Sequence, residues 1–371
     1  MKSYKFILPV LALGAFATSC DTDIETVKDQ WHEIVQPPVI SELYYQNLRD
    51  YKKTDHEIAF GWFSGYGGMG SMNARFAGLP DSVDIISLWG GIPSHPVDVA
   101  EMRECQSKKG IRFMTVDICR INKVDEALPH KKHWLDVLAR EEAGEITSAE
   151  ATAEKHEVMK EMALHYVDEV IYNDLDGFDI DFEPEGDPVQ GALFYTMFME
   201  CAKYLGPNPE ITKEERYALI EARYGTAVAQ KPGICEKLLC IDAYGQDPSN
   251  SSTMDAANGR YGYADYIDYF LSQDYNGMIS RPNYPAEKVV HCMSVGEDWA
   301  NDPAVTSRAV GNYYTKEGRL YDWARYKPAN GGKKGGFGGF ILNQDYNVTA
   351  LNPFPYARFR DCIQICNPAI Y

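Results

Sequence analysis

Residues 175–183 constrain this chain more than any other stretch. They read Leu-Asp-Gly-Phe-Asp-Ile-Asp-Phe-Glu and place four acids inside eight positions. Asp179, Asp181 and Glu183 alternate with Phe178, Ile180 and Phe182. A period of two is that of a β-strand, whose successive side chains point to opposite faces. Three carboxylates then stand in a row on one face, at roughly 6–7 Å between alternate Cα atoms. Like charges that close do not all ionise freely, so at least one is expected to hold its proton near neutrality. That is how a general acid is made. A hairpin with a solvated polar face, or an acidic Ca²⁺-binding loop, would also carry several acids. The bulky, β-prone residues between them, with Gly177 as the single glycine, favour a strand and catalysis.

Eight apolar, β-prone runs recur along the chain, at 57–62, 83–89, 111–118, 177–183, 238–244, 269–276, 288–295 and 336–343. Helix-like stretches lie between them, at 97–108, 149–172, 189–204, 257–266, 315–325 and 355–366. Strand–helix alternation repeated this often predicts an α/β fold with a closed parallel sheet rather than an open one. Two connections are long, 120–148 and 206–236. The first, with Trp134 and several Lys and His, is expected to wall a substrate cleft, because loops after the strands build the functional face of such a barrel.

The N-terminus opens with the basic Met1-Lys-Ser-Tyr-Lys5, followed by an apolar run at 6–16 of secretory-signal length. Ala17-Thr18-Ser19 then leads into Cys20, which resembles a bacterial lipobox, although Leu is absent three residues before the cysteine. The acids at 21–25 resemble export tags on surface lipoproteins of Bacteroidetes. The expected organisation is a signal peptide at 1–19, lipidation at Cys20, an acidic tether at 20–40 and one catalytic barrel at 41–371. The expected location is the outer membrane, as a cell-surface lipoprotein, with a periplasm-facing or secreted form as the alternative. A formal net charge of −18 argues against nucleic acid as a partner. Membrane contact is expected only through the lipid. Eight cysteines follow Cys20 without a CxxC or zinc pattern. Cys119, Cys240 and Cys292 lie in apolar runs and read as buried thiols; Cys362 and Cys366, four apart, read as sharing one helix face.

The run Asp176-Gly177-x-Asp179-x-Asp181-x-Glu183 matches in full the DGxDxDxE signature of the family 18 glycoside hydrolases, which include chitinases and endo-β-N-acetylglucosaminidases. The resemblance implies a (β/α)₈ TIM barrel with this motif on strand 4, and it implies roles. Glu183 would protonate the departing glycosidic oxygen and later act as base. Asp181 would orient the substrate's 2-acetamido group, whose own oxygen is the nucleophile, an exception to the two-carboxylate scheme. Asp179 would tune Asp181 by sharing a proton. Asp176, of opposite strand parity, reads as structural. On strand 6, Gln273-Asp274-Tyr275-Asn276 is similar to the Gln-x-Tyr of the endoglycosidases, and the resemblance puts Tyr275 and Gln273 on the acetamido carbonyl. No cofactor or metal is implied.

Three departures separate this chain from the chitinases it resembles. Their Trp after Gly-Gly on strand 8, the floor of the sugar site, gives way to Asn343 and Gln344; their Ser-x-Gly-Gly on strand 3 is Thr115-Val116-Asp117-Ile118; and Phe182 stands where Trp is usual. Trp62, Tyr66, Trp89, Tyr244 and Trp299 are candidates to stack on sugars, with Asn276, Asn343 and Gln344 as polar contacts. The leading expectation is an endo-β-N-acetylglucosaminidase acting on N-linked glycans of glycoproteins, with surface glycan-binding proteins as possible neighbours. A chitinase or a non-catalytic glycan-binding barrel are the alternatives, the last opposed by the presence of Glu183.

Overall fold

Short runs buried on both faces pair most economically when each has a neighbour on either side, and here eight of them close on themselves. In the computed structural model, which describes residues 41–250, 262–295, 318–329, 331–348 and 352–368, the strands are β1 (Ile58–Phe63), β2 (Ile85–Leu88), β3 (Arg112–Ile118), β4 (Gly177–Asp181), β5 (Leu238–Ala243), β6 (Tyr269–Gln273), β7 (Val289–Ser294) and β8 (Gly336–Phe340). All pair in parallel, in sequence order, and β8 returns to β1. This is a (β/α)₈ TIM barrel, and the eight expected runs are its eight strands. Several expected ends were too long. Glu183, Tyr244, Tyr275 and Asn276 lie just past the strands, where the loops of the C-terminal mouth begin.

The period of two sorts each strand. Phe178 and Ile180 face the outer layer, among Phe113, Tyr166 and Phe198. Inside, Ile58, Phe60, Ile85, Met114, Leu238, Leu271 and Val290 fill the barrel. The bore is tight at β8. A Cβ on Gly338 would sit 2.8 Å from Cys292 Sγ and 2.9 Å from a Phe60 ring carbon, so glycine is the residue that fits. The eight cysteines among the described residues are free thiols. Cys119, Cys240 and Cys292 are buried, and so are both Cys362 and Cys366 on the helix Ala357–Cys366.

The chain divides into two units, 1–45 and 46–371. Of the first, only 41–45 are described, where Ser41 Oγ accepts from Tyr44 N at 3.2 Å at the start of the helix Glu42–Lys52. The expected leader, Cys20 and tether lie outside the described residues, as do Trp299 and the first half of the helix expected at 257–266.

Both long connections hold helices. Within 206–236, Thr212 and Glu215 form a reciprocal capping box that starts the helix Lys213–Tyr224. The Thr-x-x-Glu spacing is visible in the sequence and signals a helix start. Within 120–148, Pro129 sits in the first turn of the helix Pro129–Glu142, where its missing N–H costs nothing. Here the expectation of a cleft wall is corrected. Trp134 is 3% exposed with Lys155 over its ring, His130 is buried, and Lys131 donates to the Ile121 carbonyl at 2.8 Å. Trp134 and His130 face the helix Ser148–Tyr172, because an apolar stripe must be covered before it can decorate a cleft.

Gly338→Ala should destabilise the fold by about 1–3 kcal/mol through overpacking. Urea denaturation should show a lower midpoint with an unchanged slope.

Candidate active site

The strand-4 acids are held by different neighbours. Asp179 is fully buried, and its Oδ2 accepts from Trp62 Nε1 of β1 at 2.9 Å and Ser87 Oγ of β2 at 2.7 Å. Asp181, 2% exposed, lies level with Asp242 in the β4–β5 register. Asp242 is equally buried, and Gln273 Nε2 of β6 donates to its Oδ2 at 2.7 Å and to Asp181 Oδ1 at 3.4 Å. Neither Asp179 Oδ1 nor Asp242 Oδ1 has a hydrogen-bond partner among the described residues. The two carboxyls are close enough for each to influence the other's ionisation. Asp242 is thus a third buried acid beside the Asp179 and Asp181 expected from the motif.

Burial drives the ionisation of this cluster. It raises Asp242 well above the usual carboxylate range, with the charges of Asp179 and Asp181 adding to the rise. It lifts Asp179 to about 6, against the hydrogen bonds from Ser87 and Trp62 that favour its charged form. It lifts Asp181 to about 8, and there Glu183 and Asp179 push the same way while Arg120 opposes them. The row of like charges does hold protons near neutrality, and desolvation is the larger reason.

Glu183 follows the strand and is partly open to solvent. Arg120, at the start of the loop after β3, donates Nε to the Glu183 carbonyl at 2.5 Å, and its Nη2 lies 3.5 Å from Glu183 Oε2. Its Nη1 pairs with Glu185 at 2.9 Å. The chain then reverses through Glu185 and Gly186, both at positive φ, and Asp187 N returns to the Pro184 carbonyl at 2.7 Å. Asp187 also accepts from Ile121 N and Asn122 N, tying the two loops together. Asp176 is structural, as its parity implied: its Oδ2 takes Phe113 N at 2.9 Å and Gln106 Nε2 at 2.7 Å.

A cavity of about 180 Å³ opens above these acids, lined by Trp62, Trp89, Ile118, Asp181, Glu183, Asp242, Gln273, Tyr275 and Phe340. Alternation on β6 makes part of it. Ser272 and Asp274 turn outward and are pinned, Ser272 Oγ donating to Asp274 at 2.7 Å and His291 Nδ1 lying 2.5 Å from Asp274 Oδ2. Gln273 and Tyr275 are thereby turned inward. The Tyr275 ring stacks on Phe340 (5.7 Å, 23°), and Trp89 meets Phe340 edge-on (5.3 Å, 83°). A second cavity of about 260 Å³ is lined by Phe182, Glu183, Glu185, Tyr244, Gly245 and Gln246. Asn276 lines neither cavity; its Nδ2 holds the Tyr244 hydroxyl at 3.0 Å.

The structure brings Glu183, Asp181, Gln273, Tyr275, Trp62 and Trp89 together. It leaves Asn343 and Gln344 out. The backbone turns left-handed at Ile341, and both fall in the 3₁₀ turn Leu342–Tyr346 beyond the strand. The residue that follows Gly338-Gly339 in the bore is Phe340. Tyr66 is excluded too, its ring on Phe63 and Phe76 and its hydroxyl on the Gly91 carbonyl. Asp242, Phe340 and Arg120 were missed. Phe340 was signalled by its place after the glycine pair, and Asp242 by being the one acid in an apolar run; Arg120 carried no signal.

A family model described as glycoside hydrolase family 18, BT1044-like, matches residues 22–191. Over this stretch, 170 of the 371 residues, the chain is similar to glycoside hydrolase family 18. It is 23% identical over 372 residues to endo-β-N-acetylglucosaminidase F2 of Elizabethkingia meningoseptica, across 97% of this chain and 96% of that protein. Among solved structures, it is similar to BT1044 in a selenomethionine form with a Glu-to-Gln substitution (TM-score 0.58, 21% identity, 90% of this chain and 94% of that one). It is also similar to the apo endo-β-N-acetylglucosaminidase of Cordyceps militaris (TM-score 0.53, 20% identity, 89% and 97%). At these identities the structures speak for the barrel fold alone. The family match and the relative together support a glycoside hydrolase.

An acid whose folded pKa exceeds its unfolded one stabilises the fold below the unfolded value, and that contribution is lost as pH rises through the folded value. For Asp181 the window runs from its ordinary 3.8 to about 8. Asp181→Asn should match wild-type stability at the acidic end and exceed it by ~1–2 kcal/mol above the upper end. Urea titrations at the two extremes check this.

Proposed function

We propose that this glycoside hydrolase is an endo-β-N-acetylglucosaminidase that cuts the β-1,4 bond between the two core GlcNAc residues of N-glycans with retention of configuration. The observation that carries the reading is the position of Glu183 on the wall common to both cavities. A glycosidic oxygen beside Glu183 puts one sugar in each. The first cavity offers aromatic faces for the ring and Asp181 for the acetamido N–H. Gln273 spends its amide hydrogens on Asp242 and Asp181, so the acetamido carbonyl falls to Tyr275, which holds it in attacking position over the anomeric carbon. The second cavity, with Tyr244 and Gln246, receives the GlcNAc that stays on asparagine.

In this reading Glu183 gives its proton to the departing oxygen as the acetamido oxygen bonds to the anomeric carbon. Asp181 balances the positive charge of the oxazolinium that forms. Water then attacks the same carbon and returns a proton to Glu183, and two displacements at one carbon give retention. The relatives agree with the substrate class. Endo-β-N-acetylglucosaminidase F2 is named for this activity, and the Cordyceps militaris enzyme has been solved with fucosyl-N-acetylglucosamine-Asn.

Treated glycoprotein should lose intact glycans and keep one GlcNAc per asparagine by mass spectrometry, with negligible action on chitotetraose. Glu183→Gln should lower turnover by about 10²–10⁴ or more while glycan binding persists. Chitotetraose cut to dimers, with glycopeptides untouched, would move the assignment to a chitinase. An inverted product anomer would remove the substrate-assisted step.

We place the enzyme at the outer membrane, anchored through a lipid on Cys20 and working beside surface glycan-binding proteins. Stable anchoring takes more than one acyl chain, which a diacylglyceryl cysteine supplies. Cys20→Ala should shift the protein from the detergent-soluble membrane fraction to soluble protein or uncleaved precursor; wild-type protein found wholly in the medium would contradict the anchor.

A further inference from the structure

The opposite, N-terminal mouth of the barrel carries a second chemistry. There a cavity of about 500 Å³ is lined by Arg49, Lys52, Lys53, His56 and Arg112, with Asp55 and Asp84 as its acids. Cations outnumber acids locally in a chain whose formal net charge is −18. Both acids are already engaged. Asp84 Oδ2 accepts from Ala59 N at 2.8 Å and its Oδ1 lies 3.1 Å from His56 Nε2, and Asp55 pairs with Lys333.

Arg112 is the central group. It opens β3 two residues before Met114, which belongs to the barrel interior, so the period of two aims Arg112 into the bore as well. No hydrogen bond or ion pair is made by its guanidinium among the described residues. The acid whose field it feels, Asp268, already accepts from Leu239 N at 2.9 Å. Arg112 is half-buried, so its guanidinium is held at the mouth while remaining open to a partner from solution. Arginine's fork of N–H donors fits an oxyanion in two-point fashion. The other cations come from a different element, the helix Glu42–Lys52 and the residue after it; Lys52 also donates to the Val83 carbonyl, Lys53 pairs with Asp50 and Arg49 donates to the Lys108 carbonyl, so positive charge converges from more than one side. That suits a tetrahedral anion better than a planar carboxylate, and a basic cavity in an acidic molecule concentrates anions.

We propose that this mouth is a binding site for a tetrahedral oxyanion of the phosphate class, with Arg112 as its principal ligand and Lys52, Lys53 and Arg49 around it. It is distinct from the glycan site at the opposite mouth and does not depend on the function proposed above. The room available admits either a free oxyanion or a phosphate carried on a small sugar.

Inorganic phosphate and a hexose phosphate, titrated into the full chain at constant ionic strength set with sodium chloride, test this by calorimetry and thermal melting. A saturable rise in melting temperature with a dissociation constant below about 1 mM is the expected result. Phosphate stabilises many proteins non-specifically by exclusion from their surface, so the decisive comparison is Arg112→Gln. Its affinity should fall at least tenfold while glycosidase activity stays at the wild-type level. Should that variant fail to fold, Lys53→Gln, on an exposed position, should weaken binding several-fold. Tighter binding of the hexose phosphate identifies a phosphorylated metabolite, and equal binding a free oxyanion; either supports the site. Equal effects of phosphate and chloride, or binding unchanged in the foldable variant, would overturn it.

Discussion

Three carboxyls buried side by side inside a closed sheet are the constraint around which the C-terminal mouth is arranged. Asp179 and Asp181 come from β4 and Asp242 from β5, level with Asp181. Desolvation raises all three, so the cluster is tolerated only because other strands contribute donors. Trp62 reaches it from β1, Ser87 from β2 and Gln273 from β6. These hydrogen bonds cross the bore and exist only when the barrel has closed in register. Closure and chemistry are thus one structural fact, since the sheet that excludes water from the acids also delivers their partners.

Above this polar base the walls are aromatic. Trp62, Trp89, Tyr275 and Phe340 rise at the ends of four different strands and meet at stacked and edge-on angles. Rings locked against each other lose little freedom when a sugar arrives, and their faces suit the apolar side of a pyranose. Glu183 stands where base, walls and the second cavity meet. It is partly exposed, unlike Asp179 and Asp181, and it is gripped by Arg120. Difference in burial, rather than difference in residue type, separates the acid at the open end of the row from the two beneath it.

The two mouths of the barrel have opposite electrostatic character. The C-terminal mouth gathers acids on β4 and β5, while the N-terminal mouth gathers cations around Arg112. Strand alternation turns the acids inward at one end and Arg112 at the other, while the remaining cations come from the helix Glu42–Lys52 and the residue after it; the ends of the bore admit charge that its middle cannot. The apolar layer of Phe60, Met114, Leu271 and Val290 lies between them and keeps the two sets of charges apart in a medium of low dielectric constant.

Much of this was legible in the chain. The alternation at 178–183 placed Asp179, Asp181 and Glu183 on one inward row, and the signature they complete named the fold and the family. Eight apolar runs became eight strands, because strand period and burial are local properties of a sequence. What failed was non-local. Asp242 is a lone acid in an apolar strand, and only the β4–β5 register sets it beside Asp181. Asn343 and Gln344 lie in sequence where a longer strand would have carried them inward, but the left-handed turn at Ile341 ends the strand and leaves that place to Phe340. Trp134 resembled a cleft residue until a helix formed around it and required cover. Local periodicity determines which way a side chain points; which side chains meet is decided by barrel closure, strand register and where each loop turns, and those depend on contacts between residues far apart in the chain.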